Sequence, residues 1–330
     1  MASVIVGSGM YVPDRVVTNH ELVTYVGGSA EWVEERTGIV SRRWARTSET
    51  TSGMGSAAAR VAMEEAGWSP DDVDALIFAT LSPDMAFPGC GVLAQRELGL
   101  GFVPALDVRN QCSGYLYALS VADAWIRADV YERVLVIGAE IHSAGLDVSE
   151  QGRGIAVLFG DGAGAVCLER GEGAAGVVDV RLGSDGSGAE QLWCERPGSR
   201  GGSHITREDL RDGRHYPSMN GRAVFRRAIE TLERELRAML ETHGIDPADE
   251  RLVFVPHQAN RRINEHLARA LGVPPEHVVH TITDYGNTTA ASIPMALDVA
   301  RRTGRAGEGS LVVHAAFGSG YTWGVAVVEM

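Results

Sequence analysis

Short runs rich in Val, Ile, Leu and Ala recur along the chain: ASVIVG (2–7), VDALIFAT (73–80), ERVLVIGAE (132–140), AVLFGDGAGAVCLE (156–169), RLVFVP (251–256), GSLVVHAAFG (309–318) and WGVAVVEM (323–330). Longer stretches patterned as helices separate them. This alternation predicts an α/β fold whose strands are buried on both faces. FVPALDVRN (102–110) is apolar with a polar end, and downstream Leu116, Leu119 and Ala122 recur at helical spacing. Cys112 therefore stands where a strand hands over to a helix. In VPHQANRRINEHLARAL (255–271) a second such junction places His257 directly after a strand, before an amphipathic helix carrying Arg261, Arg262 and Arg269.

The pattern repeats. AMEEAGWSPDDVDALIFATLSPD (62–84) matches AMLETHGIDPADERLVFVPHQAN (238–260) as helix end, turn and strand; ERVLVIGAE is echoed by GSLVVHAAF, and GAGAVCLE by WGVAVVEM. Two similar halves follow, 1–172 and 173–330, joined at the small-residue segment GEGAAG (171–176). If the halves superpose, the strand end at Leu81 corresponds to His257, and the helix opened by Cys112 to the one near NTTAASIPMAL (287–297). Cys112, His257 and Asn287 then gather at the C-terminal ends of strands, where ligands bind in such folds.

Composition narrows the chemistry. The 330 residues are 45% hydrophobic and 22% charged, ordinary for one large or two smaller globular units. A net charge of −13 disfavours nucleic acid and anionic membrane as partners, and any acidic partner needs a local basic patch. No run suits a membrane span or a signal peptide, so a cytoplasmic protein is expected. The chain has no lysine: all 30 Lys+Arg residues are arginine, which closes Schiff-base chemistry and a Walker A loop. Cys90, Cys112, Cys167 and Cys194 show no C-x-x-C spacing, so neither a disulfide framework nor a metal site is expected.

Other motifs have ordinary readings. GSG (7–9) lacks the third glycine of a dinucleotide loop and reads as a turn. GDGAG (160–164) leads into a strand, so close backbone packing is its expected role. No serine sits in a G-x-S-x-G frame. Met54 and Met63 read as core filler. A cysteine between apolar segments is ordinarily a small buried hydrophobe, and a histidine after a strand is ordinarily structural. A helix N-terminus nevertheless favours thiolate over thiol, and can bring a cysteine pKa down to roughly 3.5–7.5. Cys, His and a carboxamide at three strand–helix junctions make a workable set for thioester chemistry.

WVEERTGIVSRR (32–43), FPG (87–89), DVRNQCSG (107–114), FGDGAGA (159–165), MNGRAVF (219–225), PHQANRR (256–262), YGNTTAASIPMAL (285–297) and AFGSGYTWG (316–324) occur in order along the chain. Together they resemble the blocks of the β-ketoacyl-acyl-carrier-protein synthase III family of the thiolase superfamily. The resemblance implies the five-layered αβαβα thiolase-like fold, built from two similar halves. It implies Cys112 as acyl-accepting nucleophile, His257 and Asn287 as the pair that supports decarboxylation, backbone N–H groups of Cys112 and Ser319 as oxyanion hole, and Phe317 as an aromatic gate. Coenzyme A would meet Trp32, Arg36, Arg153, Gly221, Phe225 and Asn260. An acyl carrier protein would dock on Gln258, Arg261 and Arg262, and Phe87 would floor the acyl pocket of a homodimeric partner. Two departures, Arg222 within MNGRAVF and GSG for a triple glycine at 318–320, fall where pantetheine would lie. The polar segment 186–213 reads as a loop and leaves the acceptor open.

The implied activity is decarboxylative Claisen condensation of an acyl-CoA or acyl-carrier starter with a malonyl thioester, in fatty-acid initiation or a polyketide-like pathway, with no cofactor beyond the coenzyme A thioesters. The alternative is acyl transfer to an oxygen or nitrogen nucleophile, against which Asn287 argues, since that reaction has no enolate to stabilise. A cysteine-type thioester hydrolase is a further alternative.

Overall fold

The computed structural model describes residues 2–173, 175–202 and 204–330. Its main strands are β1 (Ala2–Tyr11), β2 (Ala75–Ala79), β3 (Ala105–Val108), β4 (Arg133–Glu140), β5 (Gly162–Gly171), β6 (Gly176–Ser184), β7 (Leu252–Pro256), β8 (Leu311–Gly318) and β9 (Thr322–Glu329). The helices that matter here are α1 (Ala30–Thr37), α2 (Thr51–Ala66), α3 (Cys90–Leu98), α4 (Gly114–Arg127), α5 (Gly221–His243), α6 (Arg261–Leu271) and α7 (Ser292–Arg302).

One sheet runs β1-β5-β4-β2-β3 and the other β6-β9-β8-β7. In each, two antiparallel pairs are followed by a parallel one, β4 with β2 and β8 with β7. The period of two along each strand sorts the side chains into layers. Leu76 and Phe78 face α2 and α3, while Ala75, Ile77 and Ala79 face α4. In the other sheet Leu252 and Phe254 face α5 and α6, while Val253 and Val255 face the central layer of α4 and α7. The result is helix, sheet, helix, sheet, helix. The central core draws Leu116, Leu119 and Ile126 from the first half and Ile293, Leu297, Val312 and Val328 from the second, so the halves share one interior.

The repeat is visible in three dimensions: α2–β2 corresponds to α5–β7, β4 to β8 and β5 to β9. The counterpart of β3 shrinks to a single bridge between Phe254 and Val278. Three sequence expectations need correction. Gly7-Ser8-Gly9 is no turn but the middle of β1, where a Cβ on Gly7 would lie 2.2 Å from the Ala62 carbonyl oxygen, and one on Gly9 2.4 Å from that of Ala58. The glycines let α2 lie directly on the strand. The run from 156 becomes a strand only at Gly162, because Arg153–Ala156 is helical. Segment 186–213 is not all loop: it contains a 3₁₀ stretch (Gly186–Gln191), a short strand (Leu192–Cys194) paired with Pro217–Met219, and a helix (Arg207–Arg211). The glycines of GDGAG do pack closely: Gly162 faces Met295, and Gly164 meets the backbone of Pro294 and Met295 in α7. Met54 and Met63 are buried.

Candidate active site

Cys112 occupies a single 3₁₀ turn, Gln111–Ser113, immediately before α4, and Gln111 holds a φ of 46°. Gly318, at the end of β8, closes on this turn: a Cβ there would lie 3.1 Å from the Cys112 nitrogen. The peptide joining Gly318 to Ser319 is thereby set beside Cys112. The Cys112 residue is 7% exposed. Here the expectation of a depressed thiol fails: burial pushes it up to about 12, the Glu140 carboxylate pushes the same way, and hydrogen bonds from its own backbone N–H and the Thr289 hydroxyl only partly offset them. The helix end does not outweigh loss of water. The resting form is the thiol.

His257 follows β7 and continues the parallel ladder, its backbone N–H donating to the Ala315 carbonyl at 2.7 Å. Its Nδ1 lies 2.6 Å from Ser292 Oγ. Gln258 N–H donates to the same Ser292 Oγ at 3.4 Å, and the hydroxyl keeps its own hydrogen, which we assign to Nδ1. With that assignment the proton of the neutral imidazole sits on Nε2, which is buried and has no partner among the described residues. Burial, with the neighbouring His142 second, lowers the His257 pKa to about 3. The ring is a neutral donor.

Asn287 is fixed on three sides. Its N–H donates to Leu158 O at 2.8 Å, its carbonyl accepts from Gly160 N at 3.1 Å, and its side-chain Oδ1 accepts from Thr289 N at 2.9 Å. With Oδ1 committed, the Nδ2 donors are left for the site. The six residues NTTAAS (287–292) bind the three groups into one cluster: Asn287 begins it, the turn Thr289–Ala291 packs on the Cys112 turn, and Ser292 holds His257. Chemically, this gathers two neutral N–H donors into the same cluster as a buried thiol, suited to stabilising negative charge on an oxygen without accepting it permanently.

The surrounding residues fall into groups. Trp32 is 37% exposed on α1, and the Arg36 guanidinium lies 5.8 Å above its ring. Arg153 donates from Nε to Val26 O at 2.6 Å, beside Gly27 and Gly28 at the entry to α1. The Asn260 carboxamide ties α6 to α1, donating to Arg36 O at 3.1 Å and accepting from Arg262 N at 2.9 Å. Gly221 opens α5 and is exposed, with Phe225 half-buried one turn on. Phe317 is buried, its ring centroid 5.0 Å from that of Tyr321 and 6.5 Å from that of Trp323, in the outer core of the second sheet. Phe87 is 84% exposed. Gln258 needs correction as a docking residue: it is buried, and its amide donates to Pro256 O and Val279 O and accepts from Thr281 N and Ile282 N. It shapes the loop under the site. Arg261 pairs with Glu265 at 2.8 Å and lays its stem on Gly38, whereas the exposed Arg262 guanidinium has no ion pair among the described residues.

Sequence reasoning missed four residues, Ser292, Thr289, His142 and Glu140. Ser292 and Thr289 lie inside a quoted block, but their partners are distant in sequence. Glu140 is buried at the end of β4, accepting from Thr80 Oγ1, Ser82 Oγ and the backbone N–H groups of Leu81 and Ser82. Burial raises it to about 7 despite those donors. A carboxylate and a histidine closing an apolar strand, as in GAEIH, was the available signal.

Known proteins resemble this chain in sequence and in fold. Residues 106–186 match the family model 3-oxoacyl-[acyl-carrier-protein] synthase III, and residues 240–330 match its C-terminal counterpart. The β-ketoacyl-[acyl-carrier-protein] synthase III of Sinorhizobium medicae is 45% identical over 327 residues, covering 98% of this chain and 97% of the relative. The crystal structure of 3-oxoacyl-[acyl-carrier-protein] synthase III from Aquifex aeolicus is 40% identical and superposes with a TM-score of 0.91, covering 99% of this chain and all of the other. The priming β-ketosynthase of the R1128 polyketide pathway is 33% identical with a TM-score of 0.90, covering 99% and 96%. With a relative this similar over nearly its whole length, the thiolase-fold chain belongs to the β-ketoacyl-acyl-carrier-protein synthase III family of condensing enzymes.

Proposed function

We propose that this protein joins an acyl starter, delivered as a coenzyme A thioester, to a malonyl group carried on an acyl carrier protein, through an acyl-Cys112 intermediate. The observation that carries the reading is the pair of donors, His257 Nε2–H, buried without a partner among the described residues, and the Asn287 carboxamide, oriented by Thr289 N–H on its Oδ1, in one cluster with a buried thiol.

In the first half-reaction the thiol gives its proton to solvent and Sγ attacks the starter carbonyl. The tetrahedral oxyanion is met by the backbone N–H groups of Cys112 and Ser319, and coenzyme A leaves as its thiolate, which water reprotonates. A thiolate of high pKa is scarce at neutral pH but intrinsically more nucleophilic, and one thioester replaces another at little energetic cost. In the second half-reaction the malonyl thioester loses CO₂, and the electron pair of the broken C–C bond becomes an enolate. Its oxygen receives hydrogen bonds from His257 and Asn287, each such donor supplying about 2.7–4 kcal/mol of transition-state stabilisation. The enolate carbon attacks acyl-Cys112, and Cys112 departs as thiolate. These steps call on side chains and backbone N–H groups of the chain, the two substrates and water.

Trp32, with Arg36 over one face, offers a platform for the adenine of coenzyme A, and Arg36 and Arg153 offer cations for its phosphates. Arg262, without an ion pair among the described residues, is the contact proposed for an acidic carrier. The edge strand β3, with exposed Leu106, and the nearby exposed Phe87 and Phe102 support a homodimer closed along this edge. The testing experiment supplies an acyl-CoA and carboxyl-labelled malonyl-carrier protein. A 3-oxoacyl product with one CO₂ released per condensation supports the reading; acyl transfer to an alcohol or amine without CO₂ release overturns it.

A further inference from the structure

The described site uses His257, yet a second buried histidine stands in it. His142 lies just past the end of β4, its backbone N–H donating to Asp161 Oδ1 at 2.7 Å and its ring centroid 4.5 Å from that of Phe159. Its Nε2 is 2.6 Å from the hydroxyl of Thr289. Thr289 is itself unusual, a β-branched residue held at a φ of 50°, a conformation that costs energy and persists only where its surroundings enforce it. Asn287 Oδ1 holds its N–H, His142 holds its hydroxyl, and the turn it begins packs against the turn of Cys112.

We infer that His142 is a positioning residue for the nucleophile: its Nε2–H donates to Thr289 Oγ1 and so directs the Thr289 hydroxyl hydrogen at the Cys112 sulfur. A hydroxyl has one hydrogen to give. Were Thr289 to donate to His142, only the backbone N–H of Cys112 would be left to donate to the sulfur; with His142 as donor, the thiolate gains a second hydrogen bond in a site where burial has removed water. The lowered pKa of the His142 ring, pushed to about 3 by burial, keeps it neutral in this role. Acylation is thereby served by His142 and Thr289, and decarboxylation by His257 and Asn287. The inference rests on Cys112 being the nucleophile.

The test measures two rates at one neutral pH: alkylation of Cys112 by iodoacetamide, read by mass spectrometry of its peptide, and single-turnover acylation by acetyl-CoA. Loss of one hydrogen bond to a charged sulfur corresponds to roughly a tenfold fall in thiolate population. His142→Leu and Thr289→Val are each expected to slow both rates about tenfold, and the double variant no further, because the two residues act in series. His142→Gln and Thr289→Ser, which restore a donor and a hydroxyl, are expected to recover most of the loss, with CO₂ release per acylated enzyme unchanged. Glu140, whose charge acts on Cys112, and His257, which neighbours His142, are intact in all of these. Unchanged alkylation in His142→Leu, or in Thr289→Val alone if His142→Leu does not fold, overturns the inference, as do additive losses in the double variant. Wild-type enzyme that still takes up acetyl after Cys112 is alkylated would instead refute Cys112 as nucleophile.

Discussion

Replacing Asn287 by alanine separates the two half-reactions. Among the described residues the carboxamide makes one hydrogen bond, its Oδ1 accepting from Thr289 N–H at 2.9 Å, and it offers Nδ2 to the substrate. Truncation removes one of two enolate donors, which corresponds to about 2.7–4 kcal/mol, or a loss of roughly 10²–10³ in decarboxylation. It also leaves the buried Thr289 N–H without its acceptor, a cost of about 1–3 kcal/mol that falls on folding stability and on the order of the Thr289 turn. Acylation of Cys112 feels only this second effect, so labelling is expected to slow by no more than about tenfold. The assay is single-turnover labelling with radioactive acyl-CoA, run alongside CO₂ release from carboxyl-labelled malonyl-carrier protein. Equal loss of both rates would refute the division of labour between the oxyanion hole and the His257/Asn287 pair.

Acidification is expected to destabilise the fold. His142, His257 and His314 are buried and held neutral, at about 3, 3 and 4, so each folded-state pKa lies below its unfolded value. Stability from these groups is present above the unfolded histidine pKa of about 6.5 and is lost as pH falls towards the folded values, by up to about 1.4 kcal/mol per pH unit for each. Glu140, raised to about 7, opposes this between its unfolded pKa and pH 7. Urea unfolding between neutral pH and pH 5 reads the net slope, and no loss of stability would contradict it. Gly9→Ala is expected to lower the melting temperature, since its Cβ would lie 2.4 Å from Ala58 O and 2.6 Å from Ala62 N, an overpacking worth about 1–3 kcal/mol; an unchanged calorimetric transition would show that α2 can shift freely. Arg262→Glu is expected to raise the apparent KM for malonyl-carrier protein while sparing acylation by acyl-CoA, because a rim charge acts mainly on encounter. Carrier kinetics with unchanged salt dependence would remove Arg262 from the docking surface.

Much of the architecture is legible in the one-dimensional pattern, because strands enclosed between helical layers must be apolar on both faces, as 75–79 and 252–256 are. The repeat is legible for the same reason. β6 was not, since Val178 and Leu182 are exposed and polar residues interrupt it, so no apolar run marks this sheet edge. Gly7 and Gly9 misled because glycine signals a turn as readily as it signals close approach, and only the position of α2 decides between them. At the site, the junctions that present Cys112 and His257 were readable as local changes of period. What tunes them was not. The Ser292 and Thr289 contacts join residues 35 and 147 apart, and the raised thiol follows from burial that no local pattern specifies. Gln258 was expected at the docking surface from the family resemblance alone, but its four backbone contacts come from segments that meet only in the fold.

The central claim is that the starter acyl group rests on Cys112 before a decarboxylated extender takes it. Intact-protein and peptide mass spectrometry after mixing with an acyl-CoA, followed by a chase with malonyl-carrier protein, measures this directly. The expected result is one acyl increment on the peptide containing Cys112, discharged by the chase in step with CO₂ release and appearance of a 3-oxoacyl-carrier product. An increment on Cys90, Cys167 or Cys194, or a Cys112 adduct that the malonyl chase leaves in place, would contradict it.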